Sequence, residues 1–336
     1  AVSKTGTNEV HGSAFYDFGS DSLRGDSLEG DDINLGAYTE KRYGFTVGAP
    51  LIKDKLFIFA AYEKLEGANT FDRGAIGSGA INEVNITQAE VERIQQISQN
   101  IYNFDAGSVP SSLANEDEKL LVKLDWNIND QHRLAFTYNY NDGNNFAQSD
   151  GDADEFEFSS HLYERGAELQ SFIGVLYSDW TDKFTTEIRI ARTELDNLQR
   201  SFYGDGTPGG NDFGEIIIRM ANDPENSADD LDVYLGSDDS RQANDLDWDA
   251  TSIMFRGNYY FDNGHTLTFG YENDKLDIFN LFVQHAETTT TFNSIDDFEN
   301  GANARIEYGY AYSGNLLDRA AEWGYTSHST YAQAEF

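Results

Sequence analysis

The most constraining feature of this sequence is a strict alternation of short and long connections between apolar segments. The short ones lie at 51–55, 129–131, 181–183 and 262–264. The long ones lie at about 19–40, 67–116, 142–165, 200–249 and 283–325. A soluble β-sandwich also has strands with one apolar face, but nothing in that architecture imposes this order of connections. An up-and-down transmembrane barrel does impose it, because its periplasmic turns are short and its extracellular loops are long.

Individual strands are predicted from residues that alternate between apolar and polar with a period of two. In residues 118–128, EKLLVKLDWNI, one face holds Leu120, Val122, Leu124, Trp126 and Ile128. The same pattern predicts about ten antiparallel strands in total, at 12–18, 43–49, 56–62, 118–128, 132–141, 171–180, 184–193, 251–261, 265–273 and 329–336. The predicted fold class is therefore all-β, a segment of an antiparallel up-and-down transmembrane β-barrel with long acidic extracellular loops.

Polar and aromatic residues of these strands fit the two environments of such a barrel. Polarity assigns a set of residues to the lumen: Lys123, Arg133, Asn139, Glu187 and Arg189. Aromatic residues near the strand ends suit the interfacial girdles of a membrane barrel: Trp126, Tyr138, Tyr140, Trp180, Tyr259 and Tyr260.

Charge and cysteine content exclude several classes of function. The 336 residues include 59 acidic and 23 basic ones, for a net charge of −36. This charge would repel a phosphate backbone, so no nucleic-acid partner is expected. Most of the acid lies in the long connections, which we expect to be solvated loops. Because there is no cysteine, disulfides, zinc–thiolate sites and cysteine nucleophiles are excluded from this chain.

One long connection contains a predicted helix, at about 87–102. Thr87 and Glu90 match the T-x-x-E capping box. A helical apolar stripe follows, formed by Val91, Ile94, Ile97 and Ile101. The helix could serve as a lid over a substrate, or it could be a packing element that gives order to a long loop.

Candidate site residues are few. In residues 150–157, DGDADEFE, the alternate carboxylates Asp150, Asp152 and Asp154 resemble the start of a calcium loop, although the glycine and final glutamate of an EF-hand are missing. A solvated acidic loop tip is the alternative. There is no catalytic sequence motif, and no enzyme is expected. If the protein were a surface hydrolase, His161 near Glu164 would be the best catalytic candidate.

The opening of the chain resembles a known family. Residues 1–18, AVSKTGTNEVHGSAFYDF, resemble the junction of TonB-dependent outer-membrane receptors at which the last strand of the plug runs into the first strand of the barrel. The hairpin GAPLIKDKLF at 48–57 and the helix at 86–102, followed by YNFD at 102–105, are similar to the Oar-like branch of that family. The remaining two thirds of the chain match this family only in the alternation of short and long connections between strands.

The resemblance implies that residues 1–10 end a plug domain and that residues 11–336 form the first part of a 22-strand barrel. It also implies residence in the outer membrane, energised uptake of a scarce ligand, which is a peptide or protein in this branch, and a TonB–ExbB–ExbD complex as partner. Lipopolysaccharide would surround the loops, with Ca²⁺ as a candidate ion in one of them and no other cofactor. Two alternatives stay open: a surface adhesin or structural barrel without transport, and a ten-strand surface protease similar to the omptins.

Overall fold

The computed structural model describes residues 4–25, 27–32, 36–202, 213–220 and 230–336. The predicted acidic connection at 200–249 therefore lies partly outside the described residues. No helix in the described ranges is long and apolar enough to cross a membrane.

The described strands are numbered in chain order: β1 (His11–Ser20), β2 (Ser27–Leu28), β3 (Asp31–Asp32), β4 (Thr39–Ile52), β5 (Leu56–Thr70), β6 (Arg73–Ile76), β7 (Asn82–Thr87), β8 (Ser112–Asn127), β9 (His132–Ala147), β10 (Glu155–Glu157), β11 (Tyr163–Thr181), β12 (Phe184–Ser201), β13 (Glu215–Met220), β14 (Leu231–Leu235), β15 (Asn244–Tyr260), β16 (Thr266–Phe282), β17 (Thr289–Phe292), β18 (Arg305–Glu307) and β19 (Ala321–Glu335). Two α-helices are described: α1 (Gln88–Tyr102) and α2 (Ile295–Asn300).

Ten long strands form one antiparallel sheet in the order β1-β4-β5-β8-β9-β11-β12-β15-β16-β19. Each strand pairs with the next one along the chain in this set, as the prediction of an up-and-down barrel requires. Short turns join β4 to β5, β8 to β9, β11 to β12 and β15 to β16, and the long connections join the other pairs. In the described part of the chain β1 and β19 pair with no strand beyond the sheet, so the barrel is open between them.

The strands extend further than the sequence pattern predicted, mainly toward the long connections. The segment 132–141 was predicted from alternation, whereas β9 continues to Ala147. The segment 329–336 was predicted at the other end of the sheet, whereas β19 begins at Ala321. In β9 alternation fails because the extension DGNNFA is mostly polar, and paired polar strands still satisfy their backbone hydrogen bonds.

The pairing register separates an apolar face from a polar face. Leu124 pairs with Phe136, which pairs with Gly174 on β11, and Gly174 pairs with Ile190 on β12. The opposite face carries all of the predicted lumen residues: Lys123, Arg133, Asn139, Glu187 and Arg189.

The end of the apolar face shifts along the strands from one edge of the sheet to the other. On the nine strands from β1 to β16, the end of the apolar face is the last apolar or aromatic residue before the first charged or amide side chain, or before the end of the strand, in the direction of the long connection. Following the order of the sheet, these residues are Phe18, Tyr43, Tyr62, Leu120, Tyr140, Phe172, Ile190, Ile253 and Tyr271. Beyond them the same face carries polar or charged residues, among them Lys64, Glu118, Asp142, Arg192 and Asn273.

This boundary is a straight, sloping line. Following the register from Tyr43 on β4 through seven strand-to-strand steps leads to Phe279 on β16, yet the boundary on β16 lies at Tyr271, eight residues away (279 minus 271). Eight residues span roughly 27 Å along a strand, and seven steps span roughly 34 Å across the sheet. The slope is about 40°, which is the tilt of strands in a membrane barrel. A level bilayer edge crossing tilted strands produces this line.

The long connections are not simply solvated, which corrects the expectation for them. They build a second sheet in the order β10-β14-β13-β17-β18 and pack it with the two helices. Four connections contribute fully buried side chains to one apolar core, among them Ile94, Phe158, Ile218, Val233 and Phe298. We call this unit the cap. The sequence pattern missed it because its strands are only three to six residues long.

The predicted loop helix is part of the cap. Thr87 accepts from the Glu90 backbone and Glu90 bonds back to the Thr87 backbone, so the capping box is present. Three residues of the predicted stripe are buried, but Ile101 is 52% exposed. The ring of Tyr102 stacks on Phe298 of α2 at 4.8 Å between centroids, and its hydroxyl donates to the Phe298 carbonyl. These contacts favour a packing element over a mobile lid.

Candidate functional site

The segment before β1 is attached to the short-turn end of the barrel. Asn8 and Asp54 exchange two hydrogen bonds: Nδ2 of Asn8 donates to Oδ1 of Asp54 at 2.6 Å, and the Asp54 amide donates to Oδ1 of Asn8 at 2.8 Å. Gly6 is buried so closely that a Cβ would lie 2.4 Å from the Ile58 carbonyl oxygen. Thr5 donates to Asp125 on the lumen face of β8. Residues 5–8 are therefore built into the mouth of the barrel.

The lumen face carries paired charges. Glu187 lies between two cations, with Arg189 at 3.4 Å on the same strand and Arg256 at 3.5 Å on β15. Lys123 and Asp125 approach to 3.6 Å, and both side chains are 14% exposed. A polar, charged lumen wall suits a passage for a hydrated ligand.

A group of buried ionisable side chains lies in the cap, around His161. The imidazole is fully buried, on the segment between β10 and β11. Asp150 comes from the connection after β9, and Glu157 is the last residue of β10. Glu215 opens β13, and Asp238 follows β14. We call these five residues the His161 cluster.

All four carboxylates of the cluster lie within 4.0 Å of one nitrogen, Nε2 of His161. Nε2 of His161 lies 2.8 Å from Oδ2 of Asp150 and 3.8 Å from Oε1 of Glu215. It lies 4.0 Å from both Oε1 of Glu157 and Oδ2 of Asp238. Four carboxylates thus surround one imidazole edge. Atoms of Asp150, Glu157 and His161 lie within 4.8 Å of one another, close enough to share a cation.

Burial and mutual charge change the titration of the cluster. Burial opposes protonation of His161, but the hydrogen bond to Asp150 and the charges of Glu215, Glu157 and Asp238 outweigh it and raise its pKa to about 9. Burial raises the pKa of Glu157 to about 7, although the nearby imidazolium lowers it. Burial likewise raises the pKa of Glu215 to about 7. The site therefore holds excess negative charge that protons or another cation must neutralise.

Neighbouring groups fix the orientation of the cluster. Nδ1 of His161 donates to the Gly236 carbonyl at 3.2 Å, and the Gly236 amide donates to Oγ of Ser160 at 3.0 Å. Gly236 has φ +83°, and a Cβ there would lie 2.1 Å from the Gly214 carbonyl oxygen. Arg241 donates to Oδ1 of Asp238 at 3.1 Å. The sharp turn at Gly236 is what brings Asp238 against His161.

The predicted metal residues separate in the structure. Asp150 belongs to the His161 cluster, whereas Asp152 and Asp154 are exposed to solvent. Sequence reasoning missed Glu157, Glu215 and Asp238 as companions of His161. Glu157 lay inside the quoted DGDADEFE segment, but its burial depends on the pairing of β10 with β14, which no local pattern signals. Glu215 and Asp238 come from a different connection.

The hydrolase candidate is not supported by the placement of its residues. His161 has no exposed surface, so a polypeptide substrate cannot reach it. Glu164 is bound instead to Arg200, at 2.6 Å.

Comparison with known proteins gives an independent view of the fold. A family model described as "Outer membrane beta barrel domain" matches residues 2–74. The solved structure of the outer-membrane transporter YddB from Escherichia coli superposes with a TM-score of 0.59 at 11% identity, covering 98% of this chain and 37% of that one. A mutant of the ferric enterobactin receptor PfeA from Pseudomonas aeruginosa gives 0.54 at 13% identity, covering 98% and 38%. No curated protein matches the sequence.

The chain spans less than two fifths of each of these structures. The first is described as a transporter and the second as a receptor. The family match, the sheet order and the sloping apolar boundary agree with one another: the chain has the barrel fold of these solved structures, and its location is the outer membrane.

Proposed function

We propose that this chain forms part of the barrel and extracellular cap of a TonB-dependent receptor, which imports a scarce ligand with energy from a TonB–ExbB–ExbD complex. The observation that carries the proposal is the division of one sheet into a sloping apolar outer face and a charged inner face, with a folded cap on the long-connection side. A barrel that served only as a scaffold would need neither a charged lumen nor a structured entrance.

The segment at the barrel mouth also supports transport. Residues 4–8 enter from the short-turn side and contact Asp54 and the lumen residue Asp125. A plug that runs into β1 along this path would lie within the barrel, where a force from the periplasm could displace it. The open edges at β1 and β19 are consistent with further strands, because an unpaired edge in lipid leaves backbone groups without hydrogen bonds.

We propose a peptide or protein as the ligand, as the resemblance to the Oar-like branch implies. A net charge of −36 disfavours anionic ligands and favours neutral or cationic ones. The acidic outer surface above the apolar boundary, including Glu194, Asp249 and Asp277, would meet lipopolysaccharide through bridging divalent cations.

The test compares three strains: the parent, one lacking this protein and one lacking TonB. Each is offered labelled peptides and proteins as sole nutrient, and accumulation in the periplasm is measured. We expect uptake of at least one ligand to be lost in both mutant strains. The intact gene should restore that uptake in the strain that lacks this protein. If removal of the protein abolishes attachment to surfaces while every TonB-dependent uptake persists, the adhesin alternative replaces transport.

A further inference from the structure

The His161 cluster contains more carboxylates than cations. Asp150, Glu157, Glu215 and Asp238 surround one buried imidazole, and Arg241 is the cation that hydrogen-bonds to the group, through Asp238. Burying unpaired carboxylates is costly, because the low-polarity interior cannot replace their hydration. Natural sites with this excess of negative charge commonly bind a cation.

Two buried carboxylate oxygens of the cluster lack a hydrogen-bond partner among the described residues. Oδ2 of Asp238 faces His161 at 4.0 Å and has no hydrogen-bond partner among the described residues, although Asp238 is fully buried. Oε2 of Glu157 is likewise buried and without a partner in the described part of the chain. The other oxygen of each carboxylate is held, since Oδ1 of Asp238 accepts from Arg241 and Oε1 of Glu157 accepts from the Asp150 amide. The unpaired Oδ2 of Asp238 therefore faces Nε2 of His161, whereas the Glu157 oxygen nearest Nε2 is Oε1, which also accepts from the backbone amides of Ser149 and Asp150.

The imidazole is oriented as in a metal site. Nδ1 of His161 donates to the Gly236 carbonyl, which fixes the ring and directs Nε2 at the carboxylates. A metal-bound histidine ordinarily donates its other ring N–H to a carbonyl or carboxylate in this way. In the present arrangement Nε2 donates to Asp150 at 2.8 Å, and that proton would leave to solvent when a cation takes its place.

The spacing fits a small divalent ion. Ligand atoms that lie about 2.0–2.2 Å from a metal are separated from one another by roughly 3–4 Å in tetrahedral or octahedral geometry. The carboxylate oxygens lie 2.8 to 4.0 Å from Nε2 of His161. Calcium takes oxygen ligands at longer distances, whereas an imidazole with carboxylates suits zinc, manganese or iron.

We propose that the His161 cluster is a binding site for a divalent first-row transition-metal ion, with His161, Asp150, Glu157 and Asp238 as ligands and Glu215 beside them. This site goes beyond the proposed transport function and does not depend on it. Its ligands come from two separate connections, the one between β9 and β11 and the one between β12 and β15. A bound ion would therefore cross-link the cap and fix its shape above the barrel.

The experiment uses the full-length protein purified from outer membranes in detergent, stripped with a chelator and then freed of it. Zn²⁺, Mn²⁺ and Ca²⁺ are titrated separately, and bound metal is counted after removal of free ion. We expect one equivalent of Zn²⁺, weaker Mn²⁺ and no comparable Ca²⁺. Asp238→Asn keeps the shape and the acceptor for Arg241 but removes a ligand charge, and should weaken Zn²⁺ binding at least tenfold. His161→Gln should do the same.

The matched control is Asp152→Asn, which removes an exposed carboxylate from the connection that contains His161 and should leave Zn²⁺ affinity unchanged. Thermal unfolding separates metal loss from misfolding: Zn²⁺ should raise the Tm of the wild type and of Asp152→Asn but not that of Asp238→Asn. X-ray absorption of the zinc-loaded wild type should show an imidazole in the ligand shell. An all-oxygen shell, no bound metal in the wild type, or equal losses in Asp152→Asn and Asp238→Asn would overturn the proposal.

Discussion

Asn8 and Asp54 bind each other through two hydrogen bonds, of 2.6 and 2.8 Å, across 46 residues of sequence. The contact fastens the segment before β1 to the short turn between β4 and β5. Asp54 has φ +65°, so the turn adopts a left-handed conformation at this residue that the Asn8 side chain helps to hold. The short turn therefore holds the segment before β1 in place through Asp54.

Replacement of Asn8 by alanine removes both hydrogen bonds. The site is solvent-exposed, so we expect a modest loss of about 1 kcal/mol in the free energy of local opening. Hydrogen exchange of the Asp54 amide should become faster, by about five- to tenfold. Thr7→Ala, which alters a neighbouring side chain that does not contact Asp54, serves as the control and should leave that amide unchanged.

Because the apolar boundary slopes, substitution by arginine should lower the free energy of unfolding by different amounts at two positions that lie in the same row of paired residues. Leu124 and Asn273 lie in a continuous row of paired residues, but Leu124 is below the boundary and Asn273 is above it. Leu124→Arg should cost about 2–4 kcal/mol, because it places a charge near the middle of the lipid. Asn273→Arg should cost about 0–1 kcal/mol, since it lies near the interface.

Unfolding of detergent- or lipid-reconstituted protein in urea measures both costs. A bilayer edge parallel to the rows would make the two variants equally unstable. That result would mean that the strands are not tilted and that the boundary has another cause.

The turn at Gly236 should tolerate no side chain. A Cβ there meets the Gly214 backbone oxygen at 2.1 Å, in addition to the strain of φ +83°. The left-handed conformation alone costs a residue about 1–2 kcal/mol, and displacement of backbone adds to it. Gly236→Ala should therefore make the cap far more sensitive to protease. Gly314, also in a long connection, has φ +79° with no atom within 4 Å of a Cβ, so Gly314→Ala should show only the smaller effect.

The cap should unfold separately from the barrel when its core is weakened. Phe298 is fully buried against Tyr102 and Phe292. Phe298→Ala should cost the cap about 3–5 kcal/mol, because the ring leaves a cavity. We expect protease cleavage within the long connections while the strands remain protected and heat-resistant. Loss of the whole protein from the membrane would instead indicate that cap and barrel fold as one unit.

The barrel was largely predictable from the sequence, and the cap was not. Strand faces such as Leu120, Val122 and Leu124 are set by local alternation, since one face meets lipid and the other does not. The cap depends on pairings such as Glu157 with Tyr234, between connections that are distant in sequence. The helix α1 was an exception, because its capping box and apolar stripe are local.

The same distinction between local and long-range signals explains why the candidate site was only partly predictable from the sequence. Asp150 was singled out by its local acidic pattern, but the residues that surround His161 with it come from separate connections. Their carboxylates are no different in sequence from the many solvated ones in this acidic chain. Burial, which only the tertiary fold determines, is what distinguishes Asp238 from Asp152.

Cysteine labelling on intact cells tests the central claim most directly, because this chain contains no cysteine of its own. Single cysteines are introduced by Asp130→Cys and Asn263→Cys in the short turns, and by Asp152→Cys and Ser313→Cys in the long connections, all at exposed positions. A membrane-impermeant maleimide should label the latter two on intact cells and all four after lysis. Labelling of the short turns on intact cells, with the long connections protected, would contradict the topology on which the barrel, the cap and the proposed transport all depend.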